Sequence, residues 1–126
     1  MLHLTDIHLD LEYQIGTNAD CDLPVCCISL AGPAPDEEHA ARYWGGYNCD
    51  LPTWTFRSVL EHARDAHPGL DHIMLTGDYP DHAVWQQSRE ENMATTATVI
   101  DLVGLVFPDT QVVPAMGNHE TFPCNK

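Results

Sequence analysis

The chain has 126 residues, enough for one domain with a modest core, and its 44% hydrophobic content argues against disorder. Five Lys and Arg against 19 Asp and Glu give a net charge of -14, which disfavours nucleic acid or an anionic membrane surface as a partner held by bulk electrostatics. The same excess of carboxylates suits cation binding and work at acidic pH, and no stretch approaches the roughly 18 apolar residues of a spanning helix.

Residues 1–5 read as a strand, and Asp6 and His8 follow it two positions apart. Period-two spacing points both side chains to one side of extended backbone, so one ion could take a carboxylate oxygen and an imidazole nitrogen. Asp10 continues the alternation, either behind the ligands or as a solvated turn carboxylate. Residues 11–50 form a long irregular insertion holding Cys21, Cys26, Cys27 and Cys49 with several prolines. A structureless run of that length needs a staple, and four cysteines so placed suggest disulfides in an oxidising compartment. A zinc knuckle is the rival, but the spacing lacks paired C-x2-C halves. Adjacent Cys26 and Cys27 are strained partners, which leaves two pairings open. Cys21–Cys26 with Cys27–Cys49 is the less tangled, and Cys124 is left over. The aromatic run Tyr43-Trp44-Gly45-Gly46-Tyr47 is expected to cover the adjacent core rather than line a cleft.

Asp50 reads as a helix cap with Pro52 in the first turn, and Trp54, Phe56, Val59, Leu60 and Ala63 recur at helical spacing until Pro68-Gly69. His72–Thr76 is a second strand, closing a β-α-β unit, and it runs into Gly77-Asp78 and a tight loop carrying His82. A second helix is expected from about Val84 to Val106, stopped by Pro108, and residues 111–116 form a third strand that ends in Gly117-Asn118-His119-Glu120. His3, His39, His62, His67 and His72 have no partners at ligand spacing and read as structural or exposed. Glu120 is expected to hydrogen-bond nearby backbone or a ligand histidine rather than a metal.

Three buried strands thus end in metal-type ligands, and the carboxyl ends of parallel strands are where open α/β sheets bind ligands. Asp6, His8, Asp78, Asn118 and His119, with His82 close by, make a donor set for a borderline divalent cation. Asp78, on the middle motif, is the natural bridge between two ions. Such a pair can activate a water, orient a phosphoryl group and stabilise a leaving oxygen.

Thr5-Asp6-Ile7-His8, Thr76-Gly77-Asp78 and Gly117-Asn118-His119-Glu120 resemble the first three blocks of the calcineurin-like metallophosphoesterases. Within that superfamily the chain is similar to the acid sphingomyelinase family along essentially its whole length. Tyr43-Trp44-Gly45, Cys49-Asp50-Leu51-Pro52 and Gly77-Asp78-x-Pro80-x-His82-x-x-Trp85 carry that likeness, with the adjacent Cys26-Cys27. The resemblance implies an α/β fold: the first half of an αββα sandwich, a mixed sheet with a βαβαβ core and a disulfide-stapled insertion. It implies two zinc ions, with Asp6 and His8 on one, Asp78 bridging and Asn118 on the second. It assigns His119 and His82 to the scissile phosphodiester, one of them protonating the departing alkoxide, and it pairs Cys21 with Cys26 and Cys27 with Cys49.

The implied reaction is hydrolysis of sphingomyelin to ceramide and phosphocholine in a lysosomal or secreted setting, where an unperturbed imidazole is largely protonated. Nucleotides or other phosphate esters are the alternative substrates, and a non-catalytic disulfide-rich secreted module is the alternative class. The chain begins inside a core strand and stops six residues after Glu120, so it is expected to be a partial catalytic domain. Three further histidines and a saposin-like domain that presents lipid would then lie outside it, leaving residues 1–126 inactive alone.

Overall fold

The computed structural model describes residues 1–126. Its elements in chain order are β1 (Leu2–Leu4), β2 (Leu9–Asp10), a 3-10 turn (Ser29–Ala31), β3 (Leu51–Pro52), α1 (Thr53–Ala66), β4 (His72–Leu75), α2 (Arg89–Val106) and β5 (Gln111–Pro114). β4 lies between β1 and β5 in a parallel sheet, with Leu2 opposite Ile73 and Ile73 opposite Val112. That is the expected βαβαβ core. Alternation along the strands sends Leu2, Leu4, Ile73, Leu75 and Val112 to one face, where Phe56 and Leu60 of α1 and Val99, Val103 and Val106 of α2 cover them. Each fully buried aliphatic contributes roughly 1.5–3 kcal/mol. The other face, with His3 and Val113, is exposed.

Beyond the sheet, the segments leaving β1 and β4 run side by side. Asp6 N–H donates to Gly77 O at 3.1 Å, His8 N–H to Asp78 O at 3.1 Å and Leu9 N–H to Tyr79 O at 2.6 Å. A two-stranded parallel ladder of β2 and β3 then seats Leu9 beside Leu51. This ladder is too short to give any periodic signal, and the sequence reading has no strand there.

Four expectations need correction. Asp50 does not cap α1: Pro52 occupies the cap, because Leu51 and Pro52 are held in the β2–β3 ladder. The Asp50 carboxylate binds His82 instead, accepting from its backbone N–H at 2.6 Å. α2 starts at Arg89, not near Val84, because Ser88 and Glu91 close a reciprocal capping box that ends the preceding loop. Val59 lies 49% exposed, outside the stripe that buries Phe56 and Leu60. Finally, Tyr43, Trp44 and Tyr47 do not cover the core but are 52%, 62% and 110% exposed. Their backbone is tied down instead, since Trp54 Nε1–H donates to Tyr43 O and Thr55 Oγ1 donates to Trp44 O at 3.1 Å.

The insertion carries disulfides Cys21–Cys26 and Cys27–Cys49, which settles the open pairing. Cys27, Tyr13 and Ala41 form a small second core against which Trp54 packs. Cys27–Cys49 closes a separation of 22 residues. Loop-closure entropy for such a ring predicts a loss of about 3 kcal/mol in the Cys27→Ser/Cys49→Ser variant, read from its urea unfolding curve.

Candidate metal and phosphate site

Asp6, His8 and Asp78 have positive φ, at 53°, 43° and 56°. Non-glycine residues rarely take this left-handed conformation, and they persist there where surrounding structure over-determines them, commonly at functional sites. Here the over-determination is visible: the backbone bonds between the post-β1 and post-β4 segments fix Asp6 against Gly77 and His8 against Asp78. The bend turns all three side chains to one place, and their ligating atoms lie within 4.8 Å of one another.

His8 is pre-set as a ligand. Its Nδ1 lies 2.9 Å from Pro80 O, and since a carbonyl only accepts, Nδ1 carries the proton and Nε2 is left with a lone pair. His82 is oriented in the same manner by Asp50, whose Oδ1 accepts from Nδ1 at 2.7 Å. His119 joins them: the ligating atoms of His8, His82 and His119 also fall within 4.8 Å. Ring centroids of His8 and His82 are 3.8 Å apart, and His119 meets both edge-on at 4.8 and 5.1 Å. His119 Nδ1 is buried without a hydrogen-bond partner.

Four residues lock the third motif in place. Glu120 accepts from the backbone N–H of Asp78 at 3.1 Å, of Tyr79 at 2.5 Å and of Gly117, so one carboxylate clips the loop after β5 to the loop after β4. Tyr79, fully buried, donates to Ala115 O at 2.7 Å. Burial first, then the Glu120 charge, pushes its phenol above the ordinary range, so it stays a neutral donor. Asn92 of α2, also buried, donates to His119 O at 3.0 Å. The sequence reading missed Asn92; the only signal was a carboxamide on the helix stripe that otherwise packs inward. Asp78 Oδ1 completes the lock by accepting from His119 N–H at 3.1 Å.

Asn118 stands apart from this cluster in its side-chain bonding: Nδ2 donates to Asn125 Oδ1 at 2.8 Å and lies 4.0 Å from the free thiol of Cys124. Its neighbours Gly117 and His119 both abut Asp78. His62 and His67 are on the surface, His3 bonds Thr76 Oγ1, and His39 pairs with Asp36, which raises its pKa through a direct hydrogen bond.

Asp10 is neither a solvated turn residue nor a ligand. It is 3% exposed, accepts from Glu12 N–H at 2.7 Å through Oδ1, and leaves Oδ2 unpartnered. Burial, reinforced by the Asp81, Asp50 and Glu12 charges, pushes its carboxyl up to about 7. A pKa raised by folding stabilises the native state fully below the unfolded value, and that stabilisation is lost as pH climbs through the folded value. Metal-free protein should therefore lose on the order of 3 kcal/mol between pH 4 and pH 7.5 that Asp10→Asn does not lose, read from paired urea unfolding curves.

The donor set fits a divalent cation. Two carboxylates and a neutral imidazole, pre-turned by a locked backbone, match a borderline ion with a position left open. Two imidazoles beside it, those of His82 and His119, form a cradle for an anion. The two disulfides belong to an oxidising environment, and no helix is long and apolar enough to cross a membrane.

Comparison with known proteins agrees with this geometry. The calcineurin-like phosphoesterase family matches residues 1–126. The sphingomyelin phosphodiesterase of Bos taurus is 42% identical over 126 residues, 99% of this chain and 20% of that protein. Sphingomyelin phosphodiesterase 1 of Caenorhabditis elegans is 41% identical over 127 residues, covering 99% and 22%. The human acid sphingomyelinase-like phosphodiesterase 3b is 32% identical over 125 residues, covering 98% and 26%. The chain thus spans about a fifth to a quarter of the length of these relatives. With the family matched from end to end, and divalent metal binding implied by it, the chain belongs to the calcineurin-like phosphoesterases.

Proposed function

We propose that this chain supplies the first three ligand motifs and two phosphate-facing histidines of a zinc-dependent phosphodiesterase that hydrolyses sphingomyelin to ceramide and phosphocholine in a lysosomal or secreted setting. The observation that carries it is the meeting of Asp6, His8 and Asp78 beside the imidazoles of His82 and His119, in a chain so similar to proteins named for that reaction.

Asp6, His8 and Asp78 would hold one zinc ion, and Asp78 with Asn118 would contribute ligands to a second. Bound there, the metal lends Lewis acidity to a phosphoryl oxygen and lowers the pKa of a water. Everything else falls to side chains. The phosphodiester sits on the imidazole cradle, where His119, its buried Nδ1 free, donates to a phosphoryl oxygen. His82, fixed through Nδ1 by Asp50, presents Nε2 to the ester oxygen. As water attacks phosphorus, the bond to the ceramide oxygen breaks and that oxygen takes the Nε2 proton, while the proton shed by the attacking water passes to solvent and a proton from solvent restores Nε2–H. Locking by Glu120, Tyr79 and Asn92 keeps His119 in register with Asp78 throughout, which is the positioning such chemistry needs.

The test replaces the matching fifth of the Bos taurus relative with residues 1–126 and follows phosphocholine release from sphingomyelin. The chimera should be active, lose activity on chelation and regain it with zinc, whereas residues 1–126 alone should be inactive. A folded chimera that cleaves only nucleotide phosphodiesters would sink the substrate assignment; one that binds no zinc would sink the reading entirely.

A further inference from the structure

The exposed aromatic loop of the insertion has no role in the metal site, yet it overhangs it from two sides. Trp44 lines one shallow cavity, of about 280 Å³, together with Asp6 and His8. Tyr47 lines a neighbouring one, of about 410 Å³, together with His82 and Asp50. We propose that Tyr43, Trp44 and Tyr47 form a docking rim that seats the protein on a zwitterionic phospholipid surface, with the ligand cluster facing the headgroups. The proposal rests on the phosphodiesterase reading only for the identity of the substrate, not for the docking itself.

Charge distribution favours this occupant. The chain carries 19 carboxylates, yet residues 39–49 contain none, and their cations are Arg42 and whatever proton His39 holds. A net charge of -14 opposes an anionic surface, while a zwitterionic one presents phosphates to Arg42 without long-range repulsion. Trp and Tyr are the side chains that settle at the headgroup level, apolar body inward and polar edge in water.

Exposure without slack is the second argument. Three bonds hold the loop backbone: Tyr13 O–H donates to Arg42 O at 2.5 Å, Trp54 Nε1–H to Tyr43 O, and Thr55 Oγ1 to Trp44 O. Cys27–Cys49 anchors its far end. Rings that would be costly to expose on a mobile loop are thus presented on a rigid one, so little ordering entropy opposes binding.

The test uses the full chain and phosphatidylcholine vesicles. Wild-type protein should co-sediment with the vesicles, and brominated phosphatidylcholine should quench its tryptophan emission. Trp44→Ala/Tyr47→Ala should raise the lipid concentration at half-binding at least tenfold, and Trp44→Phe should remove most of the quenching. Asp78→Asn should bind vesicles as wild type does, which separates docking from the metal site. Wild-type protein that neither sediments nor is quenched overturns the proposal, as does a double variant that binds normally. Should the double variant unfold, the quenching comparison between wild type and Trp44→Phe decides alone.

Discussion

Gly77→Ala should destabilise the protein by about 3 kcal/mol or more, read from urea unfolding curves, because two penalties coincide there. The residue has φ +96°, a region alanine rarely adopts. A methyl group added to it would also lie 2.2 Å from Gly117 N and 2.7 Å from Gly117 Cα. Those are backbone atoms of the neighbouring strand end and cannot rotate away. Gly69→Ala is the control that separates the two causes. Gly69 has φ +88° but nothing within 4 Å, so only the backbone term remains, at roughly 1–2 kcal/mol. The difference between the variants measures how tightly the ends of β4 and β5 are pressed together.

Asp78→Asn should abolish most divalent-metal affinity while leaving the fold within about 1 kcal/mol of wild type. Asparagine tolerates the left-handed backbone at this position, and its side-chain oxygen can still accept from His119 N–H. What it removes is the charge shared among the ligands. Losing an outer partner of a metal ligand typically costs about 10–100-fold in affinity, so losing a ligand itself should exceed 100-fold, measured by zinc titration calorimetry. Matching unfolding curves for the two proteins are part of the prediction, since a variant that simply unfolds would lose affinity for an uninformative reason.

The parts of this structure that periodicity and punctuation encode were legible in the sequence. The strands at His72–Leu75 and Gln111–Pro114 and the carboxyl ends of both helices follow from apolar runs bounded by Pro, Gly and polar residues. The meeting of Asp6, His8 and Asp78 follows from each motif closing a parallel strand. Other features depend on contacts between distant residues, which no local pattern records. Asp50 looks like a cap because it precedes a proline and a helix, yet His82, 32 positions away, offers its carboxylate an N–H and an imidazole. Glu120 bonds backbone as expected, and which N–H groups it takes, those of Asp78, Tyr79 and Gly117, depends on the two loops being apposed. Ser88-x-x-Glu91 is different. That capping box is written plainly in the sequence, inside the stretch that a helix starting near Val84 takes as its polar first half.

The exposed aromatics failed for a physical reason as well. Hydrophobicity alone points Tyr43, Trp44 and Tyr47 toward the core, while hydrogen bonds from Trp54 and Thr55 hold the loop backbone and leave its rings exposed. Backbone ties of this kind override composition over so short a segment.

The claim that the ends of β1 and β4 share a divalent ion is tested most directly by zinc-edge anomalous diffraction from crystals grown with zinc. An anomalous peak within bonding distance of Asp6, His8 and Asp78 is the predicted result. Zinc-soaked crystals with no peak there, or with the metal bound only at other residues, would contradict it.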